Sequence, residues 1–81
     1  YRADIIIYDR SGAPVAVVEC KRPDVSITEE VATQAMQYNS VLKVKYLILT
    51  NGKMTYIYTL KDGIFALCDH IPLYEEMICQ Q

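Results

Sequence analysis

Two carboxylates and a lysine are expected at the tips of two strands near the start of the chain. One apolar run ends in Glu19-Cys20-Lys21, and Asp4 lies in a second apolar run, residues 3–8. Alternation along a strand puts Glu19 and Lys21 on the same face. Carboxylate oxygens suit Mg²⁺, and the backbone carbonyl of Cys20 can serve as a further ligand. A neighbouring lysine can orient water and offset negative charge on a phosphate, so the pattern indicates metal-dependent phosphodiester hydrolysis.

The two carboxylates meet only if the strands pair in one register. A two-residue turn at Ser11-Gly12 would fold the runs into an antiparallel hairpin. That register predicts Asp4 directly opposite Glu19, with Cα atoms about 4.5 to 5.5 Å apart. The alternative is purely structural, in which Lys21 neutralises two carboxylates at the exposed end of a hairpin.

Hydrophobic patterning predicts a mixed central β-sheet with flanking helices, which is an α/β (α+β) fold. A crossover through the first helix predicts that the second and third strands are parallel. Asn51-Gly52 predicts the hairpin turn between the third and fourth strands. The predicted strands are residues 2–8, 14–20, 44–50, 54–60 and 64–68, and the predicted helices are residues 30–40 and 73–79.

The first helix carries its own start signal and an apolar stripe. Ser26-x-x-Glu29 has the spacing of a capping box. One side carries the stripe of residues Val31, Ala35, Tyr38 and Leu42, so this side is predicted to pack on the sheet.

Composition limits the classes of protein that fit. The 81 residues and the net charge of −2 predict one small domain, residues 1–81, without the basic field that drives non-specific nucleic-acid binding. The three cysteines lack zinc-finger spacing, and no apolar run reaches the length of a membrane span. We expect a soluble, cytoplasmic domain with reduced thiols. His70, the single histidine, is expected to be incidental.

The order of these motifs resembles the PD-(D/E)xK nuclease superfamily: an Asp, an apolar strand ending in Glu-x-Lys, and a helix carrying Gln-x-x-x-Tyr. Within it, the chain is similar to the N-terminal nuclease domain of the type I restriction enzyme R subunit. The similarity is carried by Arg2-Ala3-Asp4-Ile5-Ile6, residues 14–23, Gln34 with Tyr38-Asn39, and residues 46–52.

The resemblance implies a restriction-endonuclease-like core that cuts double-stranded DNA with Mg²⁺, or with Mn²⁺ in its place. It implies that Asp4 and Glu19 bind the metal, that Lys21 is catalytic, and that Gln34 and Tyr38 lie near the site and the DNA backbone. The first motif departs from the family in having Ala3-Asp4 where Pro-Asp is usual.

The resemblance also bears on the parent protein. Family members carry an acidic residue on a helix before the first core strand. That helix is expected outside these 81 residues, so we expect the chain to be a fragment of a larger protein. The parent is expected to work with translocase, methyltransferase and specificity subunits. ATP is expected to act in the parent system without binding this domain, since the sequence has no G-x-x-x-x-G-K-[ST] phosphate loop.

Two other interpretations remain open from sequence. The first is a catalytically inactive nuclease-like fold that binds DNA or a protein partner. The second is a structural fragment whose charges are only solvated.

Overall fold

The computed structural model describes residues 4–79, which form one five-stranded mixed sheet and two helices. The strands follow one another across the sheet in the order β1-β2-β3-β4-β5. β2 and β3 are parallel, as predicted, and the other neighbours are antiparallel. The elements are β1 Ile5–Tyr8, β2 Pro14–Cys20, α1 Glu29–Asn39, β3 Tyr46–Thr50, β4 Thr55–Lys61, β5 Ile64–Leu67 and α2 Tyr74–Ile78.

The predicted β1–β2 hairpin is confirmed, but its predicted two-residue turn is wrong. Pairing stops at Tyr8 and Pro14, and residues 9–13 form a longer loop. Oδ1 of Asp9 accepts hydrogen bonds from the Ser11 N–H (2.9 Å), the Ser11 hydroxyl (2.7 Å) and the Ala13 N–H (2.9 Å). The register then shifts at a bulge beside Tyr8, so Ile7 pairs with Ala16. The bulge restores the register that the shorter turn would have given. The predicted strand residues 2 and 3 lie outside the described residues.

Helix α1 begins one residue earlier than predicted and has a different cap. The cap is Thr28, whose Oγ1 accepts a 3.3 Å hydrogen bond from the N–H of Val31, rather than Ser26. The predicted packing stripe is also partly wrong, because the buried residues are Ala32, Ala35 and Asn39. Tyr38 instead remains 56% exposed, and Leu42, which lies beyond the end of the helix, is 42% exposed.

The turn between β3 and β4 is confirmed near Asn51-Gly52. Gly52 has a φ of 86°, a conformation that glycine adopts without steric cost. The Asn51 side chain is buried and holds the turn, since its Oδ1 accepts from the N–H groups of Lys53 (2.9 Å) and Met54 (2.7 Å).

The two helices cover opposite faces of the sheet. Leu47 and Leu49 pack with Ala32 and Ala35 of α1. The intervening Ile48 packs in a second cluster around Met77 of α2. Because side chains alternate along a strand, these neighbours mark two separate faces. The predicted arrangement of a mixed sheet with flanking helices is therefore confirmed.

Candidate metal and catalytic site

Glu19 lies near the end of β2 with its carboxylate largely out of water. It pairs with Leu49 of β3, so its side chain lies on the face that α1 covers. The side chain is 13% exposed. Oε2 is buried and has no hydrogen-bond partner among the described residues. A buried carboxylate oxygen is costly to leave unsatisfied, so this atom is a strong candidate ligand for a cation.

Lys21 supplies a positive charge beside Glu19. Its Nζ lies 3.4 Å from Oε1 of Glu19, the oxygen that is not orphaned. Its backbone N–H donates a 2.7 Å hydrogen bond to the carbonyl of Thr50, which holds the residue against the end of β3. The Lys21 side chain is 34% exposed, so the ammonium group can reach a ligand in solvent.

Asp4 is held at the same strand end. The β1–β2 register runs through Ile5 opposite Val18, and one further step along it leads to Asp4 and Glu19. The backbone N–H of Cys20 donates a 2.7 Å hydrogen bond to Oδ2 of Asp4. The structure thus brings Asp4 to Cys20, the residue between Glu19 and Lys21.

Gln34 and Tyr38 both lie on α1 and are exposed. Gln34 lines a shallow cavity of about 320 Å³ together with Glu29, Glu30 and Thr33. Because Tyr38 is exposed, it is not a core residue. The i, i+4 spacing places it on the same side of the helix as Gln34. Their role near the metal stays a prediction.

Asn51, which the sequence predicts only as a turn residue, also holds the segment that follows Lys21. Nδ2 of Asn51 donates a 2.9 Å hydrogen bond to the carbonyl of Val25. This bond joins the β3–β4 turn to the segment between β2 and α1. The motif Asn-Gly predicts a turn, and no sequence signal predicts this second contact.

The donor set fits a hard divalent cation. Asp4 and Glu19 offer carboxylate oxygens, of which Oε2 of Glu19 is buried without a described partner, and the Cys20 carbonyl stays the further ligand predicted from sequence. Mg²⁺ prefers such oxygens and needs only one or two protein carboxylates. The same donors would accept Mn²⁺.

His70 has polar contacts that its sequence position did not predict. Its Nδ1 lies 3.0 Å from Oδ1 of Asp69, and its Nε2 lies 3.0 Å from Oε2 of Glu76. These hydrogen bonds, first that of Asp69 and then that of Glu76, raise the pKa of His70 to about 9. These contacts do not test the expectation that His70 is incidental to catalysis, which stays a prediction.

The fold and site together define a small α+β domain with two carboxylates and a lysine gathered at the end of its central parallel strands. Residues 1–72 match the family described as the type I restriction enzyme R protein N terminus. The chain belongs to this family, as the sequence resemblance predicted. Comparisons with curated proteins and with solved structures gave no significant match.

Neither helix within residues 4–79 is long and apolar enough to cross a lipid bilayer.

Proposed function

We propose that this domain is a metal-dependent DNA endonuclease domain, with a restriction-endonuclease-like core, that acts within a type I restriction-modification system. The observation that carries the proposal is the orphaned, buried Oε2 of Glu19, in a carboxylate whose other oxygen lies 3.4 Å from Nζ of Lys21. Membership of the restriction enzyme family supports DNA as the substrate.

In this proposal Asp4, Glu19 and the backbone carbonyl of Cys20 hold the cation. A divalent cation held there would polarise the scissile phosphate and favour deprotonation of the attacking water. The Lys21 ammonium, oriented by Glu19, donates hydrogen bonds to the water and to a phosphate oxygen. It thereby positions the nucleophile and offsets the negative charge that develops during attack.

Gln34 and Tyr38 are proposed to contact the DNA backbone beside this centre. Both are exposed on α1 and carry hydrogen-bonding groups suited to phosphate oxygens. The net charge of −2 implies that DNA is held by local contacts or with the help of partner subunits. The proposed partners are double-stranded DNA and the translocase, methyltransferase and specificity subunits, in a cytoplasmic complex. ATP would bind the translocase and not this domain.

The test is cleavage of supercoiled plasmid DNA by the intact protein with its partner subunits, in Mg²⁺, in Mn²⁺ and in EDTA. Asp4→Ala, Glu19→Ala and Lys21→Ala are each expected to lower the cleavage rate by at least about 100-fold, as the loss of one preorganised catalytic group does. Glu75→Ala and Lys53→Ala change exposed charges away from these residues and are expected to cleave like wild type. Circular dichroism of each variant confirms folding.

Two results would overturn the proposal. Folded wild-type protein that binds DNA but does not nick it with either metal would indicate the inactive binding module. Cleavage that survives all three site substitutions would show that the catalytic centre lies elsewhere in the complex.

A further inference from the structure

A group of side chains that carry metal-ligand atoms lies on the opposite face of the sheet from Glu19. Cys68, Asp69 and His70 connect β5 to α2. The N–H of Cys68 donates a 2.7 Å hydrogen bond to the carbonyl of Ile57, which continues the β4–β5 ladder by one residue. Ile57 pairs with Ile48, whose side chain packs in the α2 cluster. Any site built on Cys68 is therefore separate from the carboxylate–lysine site on the α1 face.

The three side chains offer donor atoms of three kinds within one small sphere. Sγ of Cys68, a carboxylate oxygen of Asp69 and a ring nitrogen of His70 all lie within 4.8 Å of one another. Sγ lies 3.8 Å from Nδ1 of His70, and Nδ1 lies 3.0 Å from Oδ1 of Asp69. Zinc bonds of about 2.0 to 2.3 Å in a tetrahedron place neighbouring donors roughly 3 to 4 Å apart. The Sγ–Nδ1 and Nδ1–Oδ1 pairs therefore already have the separation of neighbouring ligands in a metal site.

The other nitrogen of the imidazole is held by a residue from a different element. Nε2 of His70 lies 3.0 Å from Oε2 of Glu76 on α2. Oε1 of Glu76 accepts a 3.1 Å hydrogen bond from the N–H of Leu73, so the carboxylate is itself anchored. Metal-binding histidines commonly donate their second N–H to a carboxylate, which fixes the ring and leaves the first nitrogen aimed at the metal. Glu76 holds Nε2 in this way, so Nδ1 faces Asp69 and Cys68, and a cation bound there would displace the proton from Nδ1.

We infer that Cys68, Asp69 and His70 form a binding site for a transition metal of the Zn²⁺ class, in which Glu76 is a positioning residue. The thiolate and imidazole select against Mg²⁺, which prefers oxygen ligands. Three protein ligands leave a fourth coordination position for water or another donor. All three residues line two open cavities of about 270 and 330 Å³, so this position has access to solvent. The inference is independent of the proposed nuclease function.

Co²⁺ is the probe, since it occupies zinc sites and gives near-ultraviolet charge-transfer absorption when a thiolate binds it. Titration of the intact, metal-stripped protein is expected to show this band saturating at one equivalent and disappearing on addition of Zn²⁺. Cys68→Ser is expected to abolish the band, and His70→Ala to lower the affinity at least 10-fold. Cys79→Ser is the matched control, because Cys79 is an exposed cysteine outside the cluster, and it is expected to keep the band.

A second pair of variants tests the positioning role. Glu76→Gln is expected to weaken Co²⁺ binding by about 10- to 100-fold, the usual effect of losing an outer-shell carboxylate. Glu75, the neighbour of Glu76 on α2, pairs with Arg10 instead. Glu75→Gln is therefore expected to bind Co²⁺ like wild type. Glu19→Gln is likewise expected to keep the band, which separates this site from the nuclease centre. Wild-type protein without a thiolate band, or Cys79→Ser losing it as Cys68→Ser does, would overturn the inference.

Discussion

The backbone N–H of Cys20 donates a 2.7 Å hydrogen bond to Oδ2 of Asp4, which fastens the start of the hairpin to the end of β2. Residues Glu19 and Lys21 flank this peptide, so one contact links all the charged groups of the candidate site. A one-residue slip of β1 against β2 would turn the Asp4 carboxylate toward the other face of the sheet. The site therefore depends on the loop at the far end of the hairpin, where the bulge beside Tyr8 sets the register.

Glu19→Gln is expected to remove metal-dependent stabilisation without unfolding the domain. Without metal, loss of the Lys21 pair costs at most about 1 kcal/mol. Loss of a buried carboxylate whose Oε2 has no described partner offsets that cost. With Mg²⁺ at 100 times its dissociation constant, wild type gains about 2.7 kcal/mol in its free energy of unfolding, and the variant gains none.

Thermal unfolding of Glu19→Gln in EDTA measures its stability without metal, and a Mg²⁺ series measures its stabilisation by the metal. Glu75→Gln is a control on the other face of the sheet and should keep the Mg²⁺ response. Equal Mg²⁺ responses in wild type and Glu19→Gln would remove Glu19 from the metal site.

Lys21→Met is expected to separate catalysis from metal binding. The substitution keeps an unbranched side chain of similar length but removes the ammonium group near Glu19. The cleavage rate should fall by about 100- to 1,000-fold, while stabilisation by Mg²⁺ persists because the oxygen ligands remain. Lys53→Met, at an exposed turn, is the matched control for loss of one positive charge. A parallel loss of metal binding and cleavage would instead make Lys21 a structural partner of the carboxylates.

The sequence predicted the strand pairing well because local signals and topology agreed. Alternation and the crossover length were sufficient for the parallel pairing of β2 with β3. The cap of α1 could not be predicted in the same way, since Ser26 and Thr28 are both good capping residues. The choice depends on the path of the preceding loop, which Asn51 fixes through Val25, 26 residues away in sequence.

The carboxylate–lysine site and the Cys68–Asp69–His70 cluster also differ in how far the sequence predicts them. Asp4, Glu19 and Lys21 could be grouped from sequence because one hairpin and one strand hold them. Glu76 and His70 could not, since their contact requires that α2 pack back beside the end of β5. A pattern search can find Cys68-Asp69-His70 as a run of ligand types, but the carboxylate that orients the ring appears only in three dimensions.

Asn51→Asp is expected to destabilise the domain by about 1 to 3 kcal/mol. Asp keeps the oxygen that accepts from Lys53 and Met54 but loses the amide that donates to the Val25 carbonyl. The second carboxylate oxygen would face that carbonyl in a buried setting, which adds repulsion. Urea unfolding followed by circular dichroism measures the change, and a loss below 0.5 kcal/mol, on the order of a surface substitution, would contradict it.

The same variant is expected to lower the cleavage rate, because the segment after Lys21 loses its anchor. Lys53→Ala, in the same turn, removes only an exposed side chain and should leave both stability and cleavage unchanged.

Asp9 is expected to make the hairpin loop, and with it the stability of the domain, sensitive to acid. Hydrogen bonds from the Ser11 hydroxyl and then from the Ala13 N–H lower the pKa of the Asp9 carboxyl below its ordinary value. A group whose pKa is lower in the folded state stabilises above its unfolded pKa, and this contribution is lost as the pH falls through the folded pKa. Asp9→Asn keeps an acceptor oxygen but does not titrate. The free energy of unfolding of wild type should therefore exceed that of Asp9→Asn by a constant amount near neutral pH, and the difference should shrink below about pH 4.

Urea unfolding of both proteins from pH 3 to 7 measures this difference, in which the acid responses of Asp69 and Glu76 cancel. Ser11→Ala removes the largest cause of the shift while Asp9 stays ionisable. Ser11→Ala should lose less of its free energy of unfolding in acid than wild type but more than Asp9→Asn. Its plot of unfolding free energy against pH should therefore lie between those of the other two proteins. A difference between wild type and Asp9→Asn that does not change with pH would show that the loop is held by the hydrogen-bond geometry alone, with no contribution from the charge.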